Sequence, residues 1–400
     1  MISVEKALEI IASAAVAGAT EEILVAEAGG RVLARELAAD VDWPPFDTSA
    51  MDGFAVRLAD VSVPGASLPE RSAAVTAGDP PPGPLAKAEA VRVMTGAVLP
   101  AGAEAVIPVE EARREGGAVS FRIVPTAGAH IRRRGESIAS GSTLLRAGRR
   151  LSPADVALAA FAGADPCVVY RRPSVTIAAT GNELVSPSAR PGPGQLRDSN
   201  GPMLLALCRA RGWPARLIAR VPDVPAAVEA LFENGADLPQ ILLTSGGVSA
   251  GELDLLPEIA RRRGFDLLFH GVAIGPGKPI AFARRGASFW FGLPGNPVSS
   301  AVGFHVFVRA ALDRLEGAAA PGASRFPARL AGALRGSESR ELYHDGIARP
   351  RDGEMFVEPL TSRGSHDLAA HARADTLIRV PAGSGMLAEG SIVECLDLKT

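Results

Sequence analysis

The sequence predicts a multidomain protein of the α/β and β classes, with a central doubly wound α/β domain and β-rich segments on both sides. Its length of 400 residues suggests two to four domains. Between residues 171 and 316, apolar strand-like runs alternate with helical patterns, which is typical of a parallel sheet covered on both faces. From 46 to 137 and from about 320 to 400, glycine and proline clusters separate short apolar runs, which favours β structure.

Two helices are predicted outside the alternating region. Residues 3–17 place apolar side chains on one stripe and charged side chains on the other, as in an amphipathic helix. Residues 152–163 begin with Ser152 and Pro153, which suit the N-cap and the first helical position, and end at Gly163. This second helix is expected to lead into the central domain.

The central domain is expected to bring several turns together at one edge of its sheet. Strands are predicted at 174–180, 215–221, 240–245, 265–274 and 288–293. Helices are expected to begin at Ser199 or Asn200, at Asp223, near Glu252 and near Val298. Polar, turn-rich segments follow the strands at 180–183, 221–223, 244–251, 276–279 and 293–297. In such folds ligands bind beyond the carboxyl ends of the strands, so these segments predict one composite site.

The segment TSGGVSAG, residues 244–251, follows an apolar strand and precedes a helical pattern. Backbone N–H groups in such a turn can surround a phosphate, and a helix N-terminus favours negative charge. The segment matches neither the Walker A pattern nor the GxGxxG dinucleotide fingerprint. The alternative is an ordinary strand-to-helix turn in which the glycines serve only the backbone geometry.

Carboxylates lie close to the same turns. Oxygen ligands on loops suit Mg²⁺ bound jointly with substrate phosphates, which requires only one or two protein carboxylates. The candidates are Glu183, Asp223, Glu252, Asp254 and, from the β-rich segment, Asp52. Each could instead be a helix cap or a surface charge, and Asp223 suits an N-cap position as well as a ligand position.

Cationic candidates are one lysine between two prolines and three adjacent arginines. Lys278 in PGKP is placed to hold its ammonium toward a phosphate. On an extended segment, at most one or two of Arg132, Arg133 and Arg134 can face the same ligand. The alternative for the arginines is a solvated basic patch.

Composition and motifs argue against several classes of function. With 42 Lys and Arg against 44 Asp and Glu, a globally basic nucleic-acid-binding protein is disfavoured. The three cysteines form no CxxC pair, which disfavours a disulfide framework or a zinc site. We expect a cytoplasmic protein without membrane contact, because neither a secretory signal nor a membrane-spanning apolar run is evident. Without a GxSxG elbow or a cysteine beside a base, the pattern favours phosphoanhydride transfer or hydrolysis by positioning and electrostatics.

Eight segments, in order along the chain, together resemble the molybdopterin molybdenumtransferase family, which includes the gephyrin E domain. They are PPFDTSAMDGFAV (44–56), AVRVMTGAVLPAGAEAVIPVEE (90–111), IRRRGES (131–137), TIAATGNEL (176–184), RDSNG (197–201), TSGGVSAGELD (244–254), PGKP (276–279) and LPGNPVSS (293–300). The segment GSHDLAAHARAD (364–375) is also similar to the C-terminal segment of the family. Their order and spacing match across nearly the whole chain.

The resemblance implies an elongated homodimer whose subunits each have four domains. These are a linker domain I of residues 20–45 and 138–170, a β-rich domain II of 46–137, an α/β domain III of 1–19 and 171–318 of the molybdenum-cofactor-binding type, and a small β-barrel domain IV of 319–400. The implied reaction inserts molybdenum from molybdate into adenylyl-molybdopterin, with Mg²⁺ or another divalent cation and with release of AMP. The reaction would take place between domain III of one subunit and domain II of the other. Other proteins of molybdenum cofactor biosynthesis and recipient molybdoenzymes are the implied partners.

The resemblance also assigns roles position by position. Catalytic roles fall on Asp52, Thr95, Glu183, Asp254 and Lys278, and metal binding falls on Asp52, Glu183 and Asp254. Substrate-binding roles fall on Arg132, Asp223, Pro294 and Pro297. The further substrate-binding candidates are Ser245, Gly246, Gly247, Ser249 and Gly251 of the TSGGVSAG turn, and Asn296.

Some positions depart from the family pattern. Ser137 and Asn182 stand where the family usually has aspartate, and Gly271 and Gly275 stand where lysines often precede PGKP. These departures leave a second hypothesis open, a divergent paralogue that binds the pterin nucleotide or a protein partner without efficient metal insertion. A generic α/β phosphohydrolase is a third hypothesis. A scaffold role is not supported, since the sequence contains no linker or partner-binding tract.

Overall fold

The computed structural model describes residues 1–233, 239–248 and 255–399. The chain divides into two compact units. Unit 1 comprises Met1–Arg35, Ala147–Pro153 and Pro166–Thr400, and unit 2 comprises Glu36–Arg146 and Ala154–Asp165. The boundaries of the four domains stay a prediction. Among the described helices, none is both long and apolar enough to cross a membrane.

The first helix, α1 (Val4–Ala14), confirms the amphipathic pattern at the start of the chain. The Ser3 side chain accepts a hydrogen bond from the Lys6 backbone N–H at 3.0 Å, which satisfies one of the unpaired donors of the first helical turn. The buried residues of the helix are Val4, Ala7 and Ile11. A short strand, β1 (Thr20–Ile23), follows.

Unit 2 is built mainly from short antiparallel strands, as its sequence predicts. The strands are β2 (Leu37–Ala38), β3 (Thr48–Ser49), β4 (Gly53–Val56), β5 (Ser67–Pro69), β6 (Val91–Val93), β7 (Ala105–Pro108), β8 (Ala112–Glu115), β9 (Ala118–Phe121), β10 (Ile131–Arg132) and β11 (Thr143–Leu145). Strands β6, β4 and β7 form one three-stranded sheet, and β5, β9 and β8 form another. Most of the helix α2 (Pro153–Phe161), which was predicted for 152–163, also belongs to this unit.

Strands and helices alternate in unit 1 between residues 167 and 315. The strands are β12 (Cys167–Tyr170), β13 (Val175–Thr180), β14 (Leu184–Val185), β15 (Leu196–Arg197), β16 (Ala215–Val221), β17 (Ile241–Ser245), β18 (Asp266–His270), β19 (Ile274–Gly275), β20 (Ala281–Arg285) and β21 (Ser288–Leu293). The helices are α3 (Asn200–Ala210), α4 (Pro225–Ala230), α5 (Leu256–Arg262), α6 (Pro297–Gly303) and α7 (Arg309–Leu315). A π-helical turn, Phe304–Val308, joins α6 to α7.

Six of these strands form one sheet in the order β16-β13-β17-β21-β20-β18. The first four are parallel, whereas β20 and β18 add an antiparallel edge. One core joins a face of this sheet to α1, α3, α6 and α7, and a second core joins the other face to α4 and α5. The doubly wound α/β fold is therefore confirmed.

Several elements of this domain differ from the sequence prediction, and the short strands β12, β14 and β15 are among those that were not predicted. Residues 265–274 form two strands, β18 and β19, because the chain turns at Gly271, where φ is +87°. Strand β20 was not predicted, since its short sequence AFARR has no clear apolar alternation. Helix α4 begins at Pro225 rather than at Asp223, and Val224 occupies the N-cap position.

The C-terminal part of unit 1 is a closed five-stranded barrel, as the resemblance implied. Its elements, in chain order, are β22 (Arg325–Leu330), β23 (Leu334–Arg335), β24 (Glu341–Arg351), β25 (Glu354–Pro359), α8 (Leu368–His371), β26 (Thr376–Val380), β27 (Met386–Leu387) and β28 (Ile392–Asp397). The ring runs β24-β25-β22-β28-β26, and the pairing of β26 with β24 closes it. Closure pairs the edges that an open sheet would leave free.

Candidate functional site

A cleft of about 780 Å³ lies at the carboxyl ends of the parallel strands in unit 1. Its wall is formed by residues that follow β13, β16, β17 and β21, together with residues 196–200 before and at the start of α3. The predicted site residues that line it are Glu183, Asp223, Ser245, Gly246, Gly247, Pro294, Asn296 and Pro297. The predicted convergence of the turns on one site is thus confirmed, while the roles of the individual residues stay predictions.

The turn after β17 requires glycine at two positions. The φ angles of Gly246 and Gly247 are +98° and +64°. A Cβ on Gly246 would lie 2.5 Å from the Thr180 carbonyl oxygen. The Gly246 N–H donates to the Leu293 carbonyl oxygen at 3.0 Å, so this amide is not available to a phosphate. Ser249, Gly251 and Asp254 lie outside the described residues.

Asn200 ties three segments of the cleft wall together. Its Nδ2 donates to Ser245 Oγ at 2.7 Å and to the Gly295 carbonyl oxygen at 2.6 Å. The Ser245 hydroxyl in turn donates to the Pro294 carbonyl oxygen at 3.3 Å. Because Asn200 and Ser245 are only 7% and 2% exposed, losing one partner would leave a buried polar group unpaired. The Ser245 hydroxyl, predicted to bind substrate, thus holds the wall in place.

Glu183 lies on the loop that follows β13, and its carboxylate folds back over the backbone of Gly181. A Cβ on Gly181 would lie 2.6 Å from Glu183 Oε2, so a larger residue there would displace the carboxylate from its present position. The neighbouring Asn182, which replaces the usual aspartate of the resembled family, uses its Oδ1 to accept a hydrogen bond from the Asp223 N–H at 3.1 Å. The Asn182 side chain therefore links the loops that follow β13 and β16.

Sequence reasoning named no role for three residues of the cleft wall: Asp198, Asn200 and His366. Asp198 Oδ1 accepts a hydrogen bond from the Gly201 N–H at 2.9 Å, near the start of α3. The RDSNG segment was a signal for the first two, because it precedes a helix at the sheet edge that holds the other turns. No local pattern pointed to His366, which comes from the barrel domain.

Lys278 does not line the cleft, although its neighbour Pro279 does. The Lys278 side chain is exposed, and its carbonyl oxygen accepts from the Val272 N–H at 2.9 Å. Whether the PGKP turn directs this lysine toward a bound phosphate stays a prediction. The turn presents a proline to the cleft.

The two glycines that replace lysines of the resembled family have a structural explanation. Gly271 makes its turn with φ at +87°, a conformation that a lysine adopts only with strain. At Gly275 in β19, a Cβ would lie 2.6 Å from Leu342 Cδ2 on the paired strand β24. A lysine at 271 would strain the backbone, and a lysine at 275 would require the Leu342 side chain to move.

Two predicted residues of unit 2, Asp52 and Thr95, contact each other directly. Asp52 Oδ1 accepts hydrogen bonds from the Thr95 N–H at 2.8 Å and from the Thr95 hydroxyl at 2.7 Å. These two hydrogen bonds lower the pKa of Asp52 below its usual value, and the bond from the Thr95 backbone N–H has the larger effect. Asp52 is exposed and precedes Gly53, where a Cβ would lie 2.3 Å from the Ile107 carbonyl oxygen. The strand pairing thus requires glycine beside an ionised, accessible carboxylate.

The three adjacent arginines of unit 2 differ in their ion-pair partners. Arg133 pairs with Asp47 at 2.6 Å, and Arg134 pairs with Asp42 at 2.6 Å. Arg132 is exposed on β10 and makes no ion pair with any described residue. This is the predicted arrangement, in which at most one or two of the three can meet a ligand.

The charges of the cleft suit a cation that is shared with a substrate. Its lining contains the carboxylates of Glu183, Asp198 and Asp223. In the described parts of the chain, no three His, Cys, Asp or Glu side chains are grouped so that they could hold a metal by themselves. A hard cation such as Mg²⁺ can use one or two carboxylates when substrate phosphates supply the remaining oxygens. The donors present fit that mode and do not form a closed protein cage.

Comparisons with known proteins cover nearly the whole chain. Residues 2–163 match the MoeA N-terminal region (domain I and II), residues 176–314 match the probable molybdopterin binding domain, and residues 327–398 match the MoeA C-terminal region (domain IV). A molybdopterin molybdenumtransferase of Synechococcus elongatus is 36% identical over 392 residues, covering 95% of each chain. Molybdopterin molybdenumtransferase 2 of Mycobacterium tuberculosis is 34% identical and covers all of both chains.

A solved structure has the same architecture along its full length. The molybdopterin biosynthesis moea protein of Pyrococcus horikosii superposes with a TM-score of 0.83 at 29% identity, covering 100% of both chains. Full-length relatives above 30% identity and three consecutive family regions agree with the cleft and barrel described above. The chain therefore belongs to the molybdopterin molybdenumtransferase family, enzymes that insert molybdenum during molybdenum cofactor biosynthesis.

Proposed function

We propose that this chain inserts molybdenum from molybdate into adenylyl-molybdopterin and releases AMP, and that it requires Mg²⁺. The observation that carries the proposal is the cleft at the carboxyl ends of the parallel strands, where the Gly246–Gly247 turn lies in the same wall as the Glu183 carboxylate. Apart from the Gly246 amide, which is already bonded to Leu293, the glycine turn can offer backbone N–H groups to phosphates, and the carboxylates offer oxygens to a cation. The described part of the lining contains no activated nucleophile, in keeping with a reaction between two bound substrates.

Glu183 and Asp223 are the described cleft residues that would hold Mg²⁺ together with the nucleotide phosphates. When bound, the cation neutralises charge on the phosphoanhydride as that bond breaks and AMP leaves. Without the cation, the three carboxylates of the described lining would repel both the phosphates and molybdate. Asp254 is the further ligand that the family resemblance implies.

The other residues of the wall act by positioning. Asn200 and Ser245 fix the turns after β17 and β21 relative to α3, so the substrate meets a wall with a single geometry. Pro294 and Pro297 stiffen the loop that continues into α6. A rigid wall of this kind favours catalysis by orientation of two substrates.

We propose further that the enzyme is a homodimer and that Asp52, Thr95 and Arg132 of a second copy complete each cleft. The support is the charge and exposure of two side chains of unit 2. Asp52 is an ionised and accessible carboxylate, and Arg132 is an exposed guanidinium without an ion pair in the described structure. Both are available for ligands that approach unit 2 from outside.

A divergent paralogue that binds the pterin nucleotide without efficient insertion is the second candidate function. The observation that favours it is the pair Gly271 and Gly275, whose surroundings do not accommodate the lysines of the resembled family without rearrangement. In that case AMP would not be formed, although the nucleotide would still bind.

The test is AMP formation by purified protein that is given adenylyl-molybdopterin, molybdate and Mg²⁺. We expect AMP only when all three are present, and we expect Glu183→Gln to lower the rate about 10- to 100-fold. Glu258→Gln is the matched control, because Glu258 is exposed on α5 and, among the described residues, its one ion pair is with Arg262. Binding without AMP would support the divergent paralogue, and a Glu183→Gln rate equal to that of the wild type would contradict the proposed site.

A further inference from the structure

A short segment of the barrel domain contributes to the cleft wall. Residues 360–367 connect β25 to α8, and His366 near the end of this segment lines the cleft. The other lining residues lie between Ala179 and Ser299. The barrel therefore brings one imidazole to a site that is otherwise built from the α/β domain.

Ser365 fixes this segment to the first turn of α6. The Ser365 carbonyl oxygen accepts a hydrogen bond from the Val298 N–H at 3.1 Å, which uses one of the unpaired donors of that turn. The Ser365 hydroxyl accepts from Asn296 Nδ2 at 2.9 Å. Because Asn296 and Pro297 themselves line the cleft, these bonds attach the segment directly to the cleft wall.

Asp367, on the C-terminal side of His366, fixes the same segment. Its carboxylate accepts from the Arg363 N–H at 3.0 Å and from the Ala370 N–H at 3.1 Å. These two amides, that of Arg363 first, hold the pKa of Asp367 below its usual value. The Asp367 N–H donates to the Gly364 carbonyl oxygen at 3.0 Å. His366 thus lies between two fixed neighbours.

The imidazole of His366 is available to a ligand. It is exposed, and it makes no hydrogen bond with any of the described residues. The ring lies over Gly364, where a Cβ would be 3.6 Å from Nδ1. Arg197 is the other basic side chain of the described lining, and its Nε already donates to the Ala189 carbonyl oxygen at 2.9 Å.

We propose that His366 is a phosphate-binding residue of the cleft and donates a ring N–H hydrogen bond to a phosphate oxygen of the substrate's adenylyl group. This assignment rests on the proposed function, since it takes an adenylyl nucleotide as the ligand. An imidazole carries an N–H donor in both of its ordinary charge states, and a hydrogen bond to an ionised phosphate is stronger than one between neutral groups. His366 is also the side chain by which the barrel contributes to substrate binding.

The test compares His366→Asn with the wild type in binding AMP and adenosine, measured by competition against a fluorescent AMP analogue in the presence of Mg²⁺. We expect the affinity for AMP to fall about tenfold, as for the loss of one hydrogen bond to a charged group, while adenosine binds as before. His130→Asn is the control. His130 is an exposed histidine of unit 2, and its φ of +53° suits asparagine.

Two results would overturn the assignment. Equal AMP affinity of His366→Asn and the wild type would remove His366 from the site, and a parallel loss of AMP and adenosine binding would show that it does not act through the phosphate. In either case AMP release by the wild type in the insertion assay would leave the proposed function intact. Failure of the wild type both to bind AMP and to release it would overturn the two proposals together.

Discussion

At the scale of single residues, the pair Asp52 and Thr95 shows how hydrogen bonds keep a carboxylate ready for a ligand. The backbone amide and the hydroxyl of Thr95 both donate to Asp52 Oδ1 and lower its pKa. In the folded protein the carboxylate therefore stays ionised to a lower pH than in the unfolded chain. The stabilisation it contributes is present above the unfolded pKa and is lost as the pH falls through the lowered folded pKa.

Thr95→Val should raise the pKa of Asp52, because it removes the hydroxyl donor and keeps the backbone amide. Thr95→Ser keeps both donors and should leave the pKa of Asp52 where it is. The measurement is a pH titration of the Asp52 carboxyl carbon by NMR. Equal pKa values of Asp52 in the wild type and Thr95→Val would show that the hydroxyl does not stabilise the carboxylate.

At the scale of elements, the turn after β17 combines a left-handed backbone with close packing. Gly246→Ala should destabilise the protein in two ways, since its φ is +98° and its Cβ would lie 2.5 Å from the Thr180 carbonyl oxygen. Gly194→Ala is the matched control, because Gly194 has φ of +76° and no atom within 4 Å of the added Cβ.

We expect Gly194→Ala to lower the free energy of unfolding by about 1 to 2 kcal/mol and Gly246→Ala by roughly 1 to 3 kcal/mol more. Urea denaturation of the two variants measures the difference. Equal losses would mean that the contact with Thr180 relaxes and that backbone strain alone requires the glycine.

Helix α7 is fixed by buried ion pairs. The Glu316 side chain directly after it is 0% exposed and accepts hydrogen bonds from Arg150 at 2.8 Å and from Trp213 Nε1 at 3.0 Å. Arg150 also pairs with Asp313 at 2.8 Å. The helix is thus attached to the segment 147–153 that leads into α2.

Glu316→Gln should lower the free energy of unfolding by about 1.5 to 3 kcal/mol, because it weakens charged hydrogen bonds of a fully buried carboxylate and leaves the half-buried Arg150 without its full counter-charge. Glu258→Gln, which breaks an exposed pair one helical turn apart, should change it by at most about 0.5 kcal/mol. Chemical denaturation compares the two, and a small effect of Glu316→Gln would indicate that Asp313 alone balances Arg150.

Elements that are buried on both faces could be predicted from the sequence, and contacts between distant segments could not. Strand β17 is buried throughout, so it reads as an apolar run, and the glycines after it mark the site edge. Strand β20 was missed because its pairing with β21 depends on the sheet, which its own sequence does not indicate. The role of Asn200 depends on partners in two other loops. The role of Lys278 stays a prediction, because the composition of a turn does not specify which of its residues faces the cleft.

At the scale of the whole molecule, the proposed site needs residues from two copies of the chain. Asp52→Asn and Glu183→Gln should each lower the activity of the homodimer about 10- to 100-fold. Random reassociation of the two variants gives half heterodimers, and each heterodimer has one intact site, so the mixture should recover about a quarter of the wild-type activity. AMP release after mixing measures this recovery. A mixture no more active than its parents would show that each site lies within one chain.

In the proposed reaction, cleavage of the phosphoanhydride is coupled to molybdenum insertion in the cleft of unit 1. The direct measurement follows AMP and pterin-bound molybdenum together in one reaction of the wild-type protein. We expect one AMP for each molybdenum atom inserted, and we expect the omission of molybdate to abolish both products. AMP formed at an undiminished rate without molybdate would contradict this coupling and would identify the chain as a phosphohydrolase.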